Sequence, residues 1–101
     1  RRRRLGELLL LVALDKMLAH GVDVVTLEMR PSNGVAYHLY SKYGFEVTGR
    51  ASGYYRDGED AWMMAAQVGG KSYRQQLSER WRALENRLRR AEVGTPTQPS
   101  P

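Results

Sequence analysis

Leu27-Glu28-Met29-Arg30-Pro31-Ser32-Asn33-Gly34-Val35-Ala36-Tyr37-His38-Leu39-Tyr40-Ser41-Lys42-Tyr43-Gly44-Phe45 is the stretch from which the rest of this chain is read. Its first residues close a run, Val24 to Met29, that is β-branched and mostly apolar, as expected of a strand covered on both faces. Pro31-Ser32-Asn33 breaks that strand, and Ser32 or Asn33 can cap a following helix. The helix is expected to run to about Tyr43, with Ala36, Leu39, Tyr40 and Tyr43 on one face, and Gly44 closes it. A strand carrying Glu28 and a short helix carrying Tyr40 would hold a carboxylate and a phenol on two rigid elements. They are candidates to face one pocket as general base and general acid.

Upstream, leucines and alanines recur at helical spacing from Gly6 to His20, and Gly21 stands where a left-handed cap belongs. Downstream, Phe45 to Arg50 and Ala61 to Val68 read as strands, separated by a polar loop, Gly53 to Asp60, that holds the pair Tyr54-Tyr55. The order helix, strand, helix, strand, strand is an α/β layout occupying residues 1–68. Gly69-Gly70 marks a boundary. Beyond it Tyr73, Leu77, Trp81, Leu84, Leu88 and Ala91 step by four and three along a basic amphipathic helix over residues 69–93. Residues 94–101 hold three of the four prolines and are expected to be a disordered tail. There is no internal repeat.

The 101 residues suffice for one small domain, and 42% hydrophobic with 27% charged residues is a globular balance. The absence of cysteine excludes disulfides, thiolate metal sites and a covalent acetyl-cysteine mechanism, and fits the cytoplasm. No metal site is expected, and His20 and His38 are isolated. The apolar run Leu8 to Leu14 ends at Asp15-Lys16, far short of a membrane span, so no membrane partner is expected. Arg1 to Arg4 followed by leucines imitates a signal peptide, but Glu7, Asp15 and the lack of a small-residue cleavage site argue against one. With no initiator methionine, the chain is expected to begin inside a longer protein. The net charge of +5 is concentrated at the two ends, where anionic partners would bind.

Several of these pieces occur together in a known order. Arg1-Arg2-Arg3-Arg4-Leu5-Gly6 resembles the Arg/Gln-x-x-Gly-x-Gly/Ala pyrophosphate loop of the GCN5-related N-acetyltransferases, the GNAT family. The helix after it, Leu-Glu-x-Arg-x-Ser-Asn, the Ala-x-x-Leu-Tyr spacing, Tyr-Gly-Phe, and Tyr-Tyr followed by Glu-Asp-Ala continue the resemblance through residue 68. Arg4 departs from it, standing where the family usually has the loop's first glycine. Glycine lets backbone approach the phosphates closely. Two readings of Arg4 stand: it blocks that approach, or it meets a phosphate directly.

The resemblance implies the acyl-CoA N-acyltransferase fold, of which this chain would be the C-terminal half with one extra amphipathic helix. It implies an enzyme that moves an acetyl group from acetyl-CoA, as co-substrate, to a protein N-terminal α-amine, with a small-subunit ribosomal protein as the expected acceptor. Glu28 matches the general base and Tyr40 the general acid that protonates the departing thiolate. Arg1, Arg2, Arg3, Arg4, Leu5 and Gly6 match the phosphate-binding segment, Asn33 matches the residue that holds the pantetheine arm, and Tyr54 and Tyr55 match loop tyrosines at the peptide entrance. Each has a plainer reading: a truncated basic end, a paired surface carboxylate, a core aromatic, a helix cap, tyrosines packed over a hairpin.

The family's domain begins with four strands and two helices before the pyrophosphate loop, and its acetyl group lies in a wedge between the fourth strand and the one matching Glu28. The 101-residue piece alone is therefore expected to be inactive, since the polarising backbone N–H of that fourth strand would be missing. The rival class is a binding module in which residues 71–91 contact RNA through phosphates or pair with a partner helix. A third arrangement is that this helix folds back over the sheet.

Overall fold

A computed structural model of the chain describes residues 2–94. The elements, in order, are α1 (Arg2–Ala19), β1 (Val24–Met29), α2 (Gly34–Lys42), β2 (Glu46–Ala51), β3 (Ala61–Gln67) and α3 (Lys71–Gly94). This is the helix-strand-helix-strand-strand layout read from the sequence, followed by the extra helix.

The three strands form one sheet in the order β1-β3-β2, both pairings antiparallel. β1 thus has one edge without a partner strand among the described residues. Leu27 lies opposite Met64 and Glu28 opposite Met63, and a shift of register between Val47 and Gly49 bulges β2. On the covered face, Val25, Leu27 and Met29 meet Trp62, Met64 and Ala66, and the helices close over them. Leu11, Leu14 and Leu18 of α1, Tyr43 and Phe45 after α2, and Leu77 and Leu84 of α3 complete this core.

Three sequence expectations need correction. β1 is covered on one face, not two: Val24, Thr26 and Glu28 are exposed. The apolar run conceals a period of two, in which only Val25, Leu27 and Met29 are committed to the core. Next, α1 begins at Arg2 rather than Gly6, so residues 2–6 are helical and not a loop. Arginine and leucine are good helix formers, nothing in Arg-Arg-Arg-Leu breaks a helix, and an isolated glycine costs only about 1 kcal/mol there. Finally, Gly94 belongs to α3 and not to the tail. Arg1 and residues 95–101, the rest of the expected disordered tail, lie outside the described residues, as do the side chains of Arg2, Arg3, Arg4, Ala91, Glu92 and Val93.

α3 folds back over the core, the third arrangement foreseen. Most of its stripe is used within the chain: Leu77 and Leu84 are buried, Tyr73 and Trp81 pack against the same cluster, and Leu88 is exposed. α3 runs antiparallel to α1, as its contacts show. Arg74 donates to the Leu18 carbonyl at 3.4 Å, and Arg87 reaches Glu7 at 3.3 Å. Among the described residues no helix is long and apolar enough to cross a membrane.

Candidate active site

The entry to α2 is built as the sequence implies. Asn33 is the N-cap, its side-chain oxygen accepting from the Ala36 N–H at 3.0 Å. The Asn33 oxygen thus serves the helix, and its amide NH2 remains the group with which it would meet a ligand. At the other end, Gly44 takes φ of 88°, a conformation that favours glycine, and turns the chain into Phe45.

Tyr40 lies on the covered face, half-buried, with its ring edge-on to Phe45 at 5.8 Å between centroids. Glu28 lies on the opposite face of the sheet and is exposed. The expectation that both face one pocket is therefore not met. Because Leu27 and Met29 occupy the core side, strand alternation sends Glu28 outward, while α2 packs on the side that Glu28 faces away from. The element that separates them is β1 itself, whose unpaired edge is open to both faces.

Between α1 and α2 lies a cavity of about 300 Å³ lined by Glu7, Val35, His38, Leu39 and Lys42. Its floor is a polar knot that sequence reasoning missed. The buried Glu7 accepts a hydrogen bond from the Tyr43 hydroxyl at 2.5 Å and ion-pairs with Lys42 at 2.9 Å and with Arg87 at 3.3 Å. Burial by itself raises the Glu7 carboxyl. The hydrogen bonds from Tyr43 and Lys42 and the charges of Lys42 and Arg87 outweigh it, so Glu7 sits below the ordinary 4.5. Tyr43 is pushed up by burial, then by the bond to Glu7 and its charge, and stays a donor. Glu7 stood in the sequence as one acid in a leucine-rich helix face. The signal was there, since a carboxylate on a core-facing turn requires a buried partner.

Tyr54 and Tyr55 lie in the β2–β3 loop with ring centroids 5.1 Å apart, edge to face, and Tyr54 is exposed. Arg30, directly after β1, places its guanidinium 4.0 Å from the Tyr55 ring centroid. Its Nη1 donates to Asp57 at 2.7 Å and to Glu59 at 2.9 Å. Glu59 in turn accepts from the Ser32 N–H at 2.9 Å. Both carboxyls are held below their ordinary values. For Asp57 the cause is the Glu59 backbone N–H and then Arg30; for Glu59 it is Ser32 and then Arg30.

Residues 1–45 match the model of the acetyltransferase (GNAT) family. An N-alpha-acetyltransferase of Sulfurisphaera tokodaii is 42% identical over 67 residues, covering 65% of this chain and 40% of that protein. The crystal structure of the ribosomal-protein-S18-alanine N-acetyltransferase from Escherichia coli superposes with a TM-score of 0.63 at 37% identity, covering 69% of this chain and 47% of that one. A NatC complex bound to Gag peptide and CoA gives a TM-score of 0.59 at 31% identity, over 60% of this chain and 38% of that one. Over residues 1–45 the chain is thus similar to the acetyltransferase (GNAT) family, and its fold is similar to part of an acyl-CoA N-acyltransferase domain. It spans less than half the length of each of these three proteins.

Proposed function

We propose that the whole protein is an acetyl-CoA-dependent N-acetyltransferase whose acceptor is a protein N-terminal α-amine, a ribosomal protein's among the candidates. The observation that carries this reading is the likeness to the N-alpha-acetyltransferase of Sulfurisphaera tokodaii and to the ribosomal-protein-S18-alanine N-acetyltransferase of Escherichia coli.

The cavity between α1 and α2 fits the pantetheine arm, having apolar walls in Val35 and Leu39 and a cation in Lys42. Asn33 stands at the α2 entry to meet an amide of the arm. The resemblance assigns Arg1 to Gly6 to the pyrophosphate, which the positive charge of Arg1, Arg2, Arg3 and Arg4 suits and Leu5 and Gly6 follow. The coenzyme supplies the activated acetyl group as a thioester.

Glu28 and Tyr40 address that thioester from opposite faces of the sheet, across the edge of β1 where the resemblance puts the wedge between strands. On the outer face Glu28 takes a proton from the incoming ammonium, directly or through water. The C–N bond then forms as the C–S bond breaks, Tyr40 on the inner face gives its proton to the leaving sulfur, and the remaining extra proton on the acylated nitrogen returns through water to the Tyr40 phenolate. A base beside the amine and an acid beside the sulfur are what this transfer requires. Tyr54 and Tyr55 line the path of the peptide.

The test is acetyl transfer by the full-length protein to an alanine-starting peptide. Glu28→Gln and Tyr40→Phe should each lower kcat by about 10²- to 10⁴-fold. Rates unchanged in both variants would remove the two roles, and a full-length protein that transfers nothing to α-amines would remove the function.

A further inference from the structure

The knot around Arg30 is not used by the chemistry above, and its geometry has a consequence for the acceptor. Arg30 stands directly after β1, two residues beyond Glu28. From there it grips the β2–β3 loop at three points: Asp57, Glu59 and the face of Tyr55. The loop has its own internal closure, since Tyr55 N–H bonds the Glu59 carbonyl at 3.0 Å and Gly53 N–H bonds Asp60 at 2.9 Å. Those bonds shape the loop but do not fix where it stands relative to β1. Arg30 does, and Glu59 adds a second tether through the Ser32 N–H. Half-exposed ion pairs contribute little to fold stability, so the consequence of this knot lies in what it positions.

We propose that Arg30 is a positioning residue for the acceptor. With Asp57 and Glu59 it holds the Tyr54–Tyr55 pair against the end of β1, the strand that carries Glu28, and thereby sets the affinity for an incoming peptide N-terminus. The inference rests on the reading of the protein as an N-terminal acetyltransferase and names a residue that this reading leaves without a role. Lysine cannot replace the planar fork that spans two carboxylates while stacking on a ring, so Arg30→Lys is a partial rescue and not a neutral change.

The experiment uses the full-length protein, an alanine-starting peptide and saturating acetyl-CoA. Arg30→Ala should raise the peptide KM about tenfold while kcat falls less than about twofold, the signature of lost binding rather than lost chemistry. Arg30→Lys should recover part of that, and Glu59→Gln should raise KM about threefold. Amide hydrogen exchange over residues 53–60 should quicken in the same order. If Arg30→Ala does not fold, Arg30→Lys and Asp57→Asn carry the same comparison. Faster loop exchange with an unchanged peptide KM overturns the proposal, because the clamp is then structural only. Unchanged exchange and unchanged KM overturn it too. A wild-type protein inactive on peptides removes the acceptor reading itself and this inference with it. That failure is told apart from failure of the clamp because it shows in the wild type before any substitution is made.

Discussion

Replacing Glu7 separates two ways in which a buried carboxylate can hold three helices together. Its side chain is 9% exposed and meets Tyr43 of the α2 exit, Lys42 of α2 and Arg87 of α3. Lys42 and Arg87 are 34% and 38% exposed, so each regains water when Glu7 is lost. The Tyr43 hydroxyl cannot, because Tyr43 is buried at 3% exposure. Glu7→Ala leaves that donor unpaired and opens a cavity, and should cost about 2–4 kcal/mol in the full-length protein. Glu7→Gln keeps an acceptor for Tyr43 and the side-chain volume but loses the charge, and should cost about 1–2 kcal/mol. With a urea m value of about 1–3 kcal/mol/M, the Gln variant should unfold at a midpoint lower by about 0.3–2 M at pH 7. The sign of the pH dependence follows from the lowered Glu7 value. Its contribution is fully present above the unfolded carboxyl range and drains away as pH falls below about 4.5 through the folded value. The gap between wild type and Glu7→Gln should therefore narrow as pH falls below about 4.5, as read by urea denaturation at each pH. Equal midpoints at pH 7, or a gap that persists undiminished at pH 3, would refute the claim that the ionised carboxylate ties the helices.

Two further substitutions test the packing in the full-length protein. Leu84→Ala removes a side chain with no exposure from the α3 side of the core and should cost about 2–5 kcal/mol by denaturation, whereas a loss under about 0.5 kcal/mol would mean that α3 is not docked. Gly44→Ala puts a Cβ at φ of 88° and 3.3 Å from the Tyr73 ring, and should cost about 1–2 kcal/mol; an unchanged midpoint would contradict the turn described at the end of α2.

The element order was legible because each element announces itself locally: the proline-serine-asparagine break after β1, the Asn33 cap, and the glycines at 21 and 44 that end α1 and α2. What escaped reading depends on contacts distant in sequence. Glu7 and Arg87 are eighty residues apart, and nothing near either one names the other. The outward turn of Glu28 was present in the alternation Val25, Leu27, Met29, but β-branched Val24 and Thr26 between them made the run look uniformly apolar. The start of α1 was misplaced because a resemblance to a loop was set against residues whose own preference is helical.

The fate of the arginines of α3 bears on what that helix does. Counted as a run, they invite a polyanion. Arg74 is committed to the Leu18 carbonyl, Arg80 to the Lys42 carbonyl and the Tyr43 ring, and Arg87 to Glu7. Lys71, Arg82, Arg89 and Arg90 remain directed at water, interspersed with Glu79 and Glu85. These three arginines reach α1 and the end of α2, the two elements that wall the cavity. α3 is on this account a brace: Leu77 and Leu84 of its apolar stripe fill the core, and Arg87 ties it to Glu7 of α1.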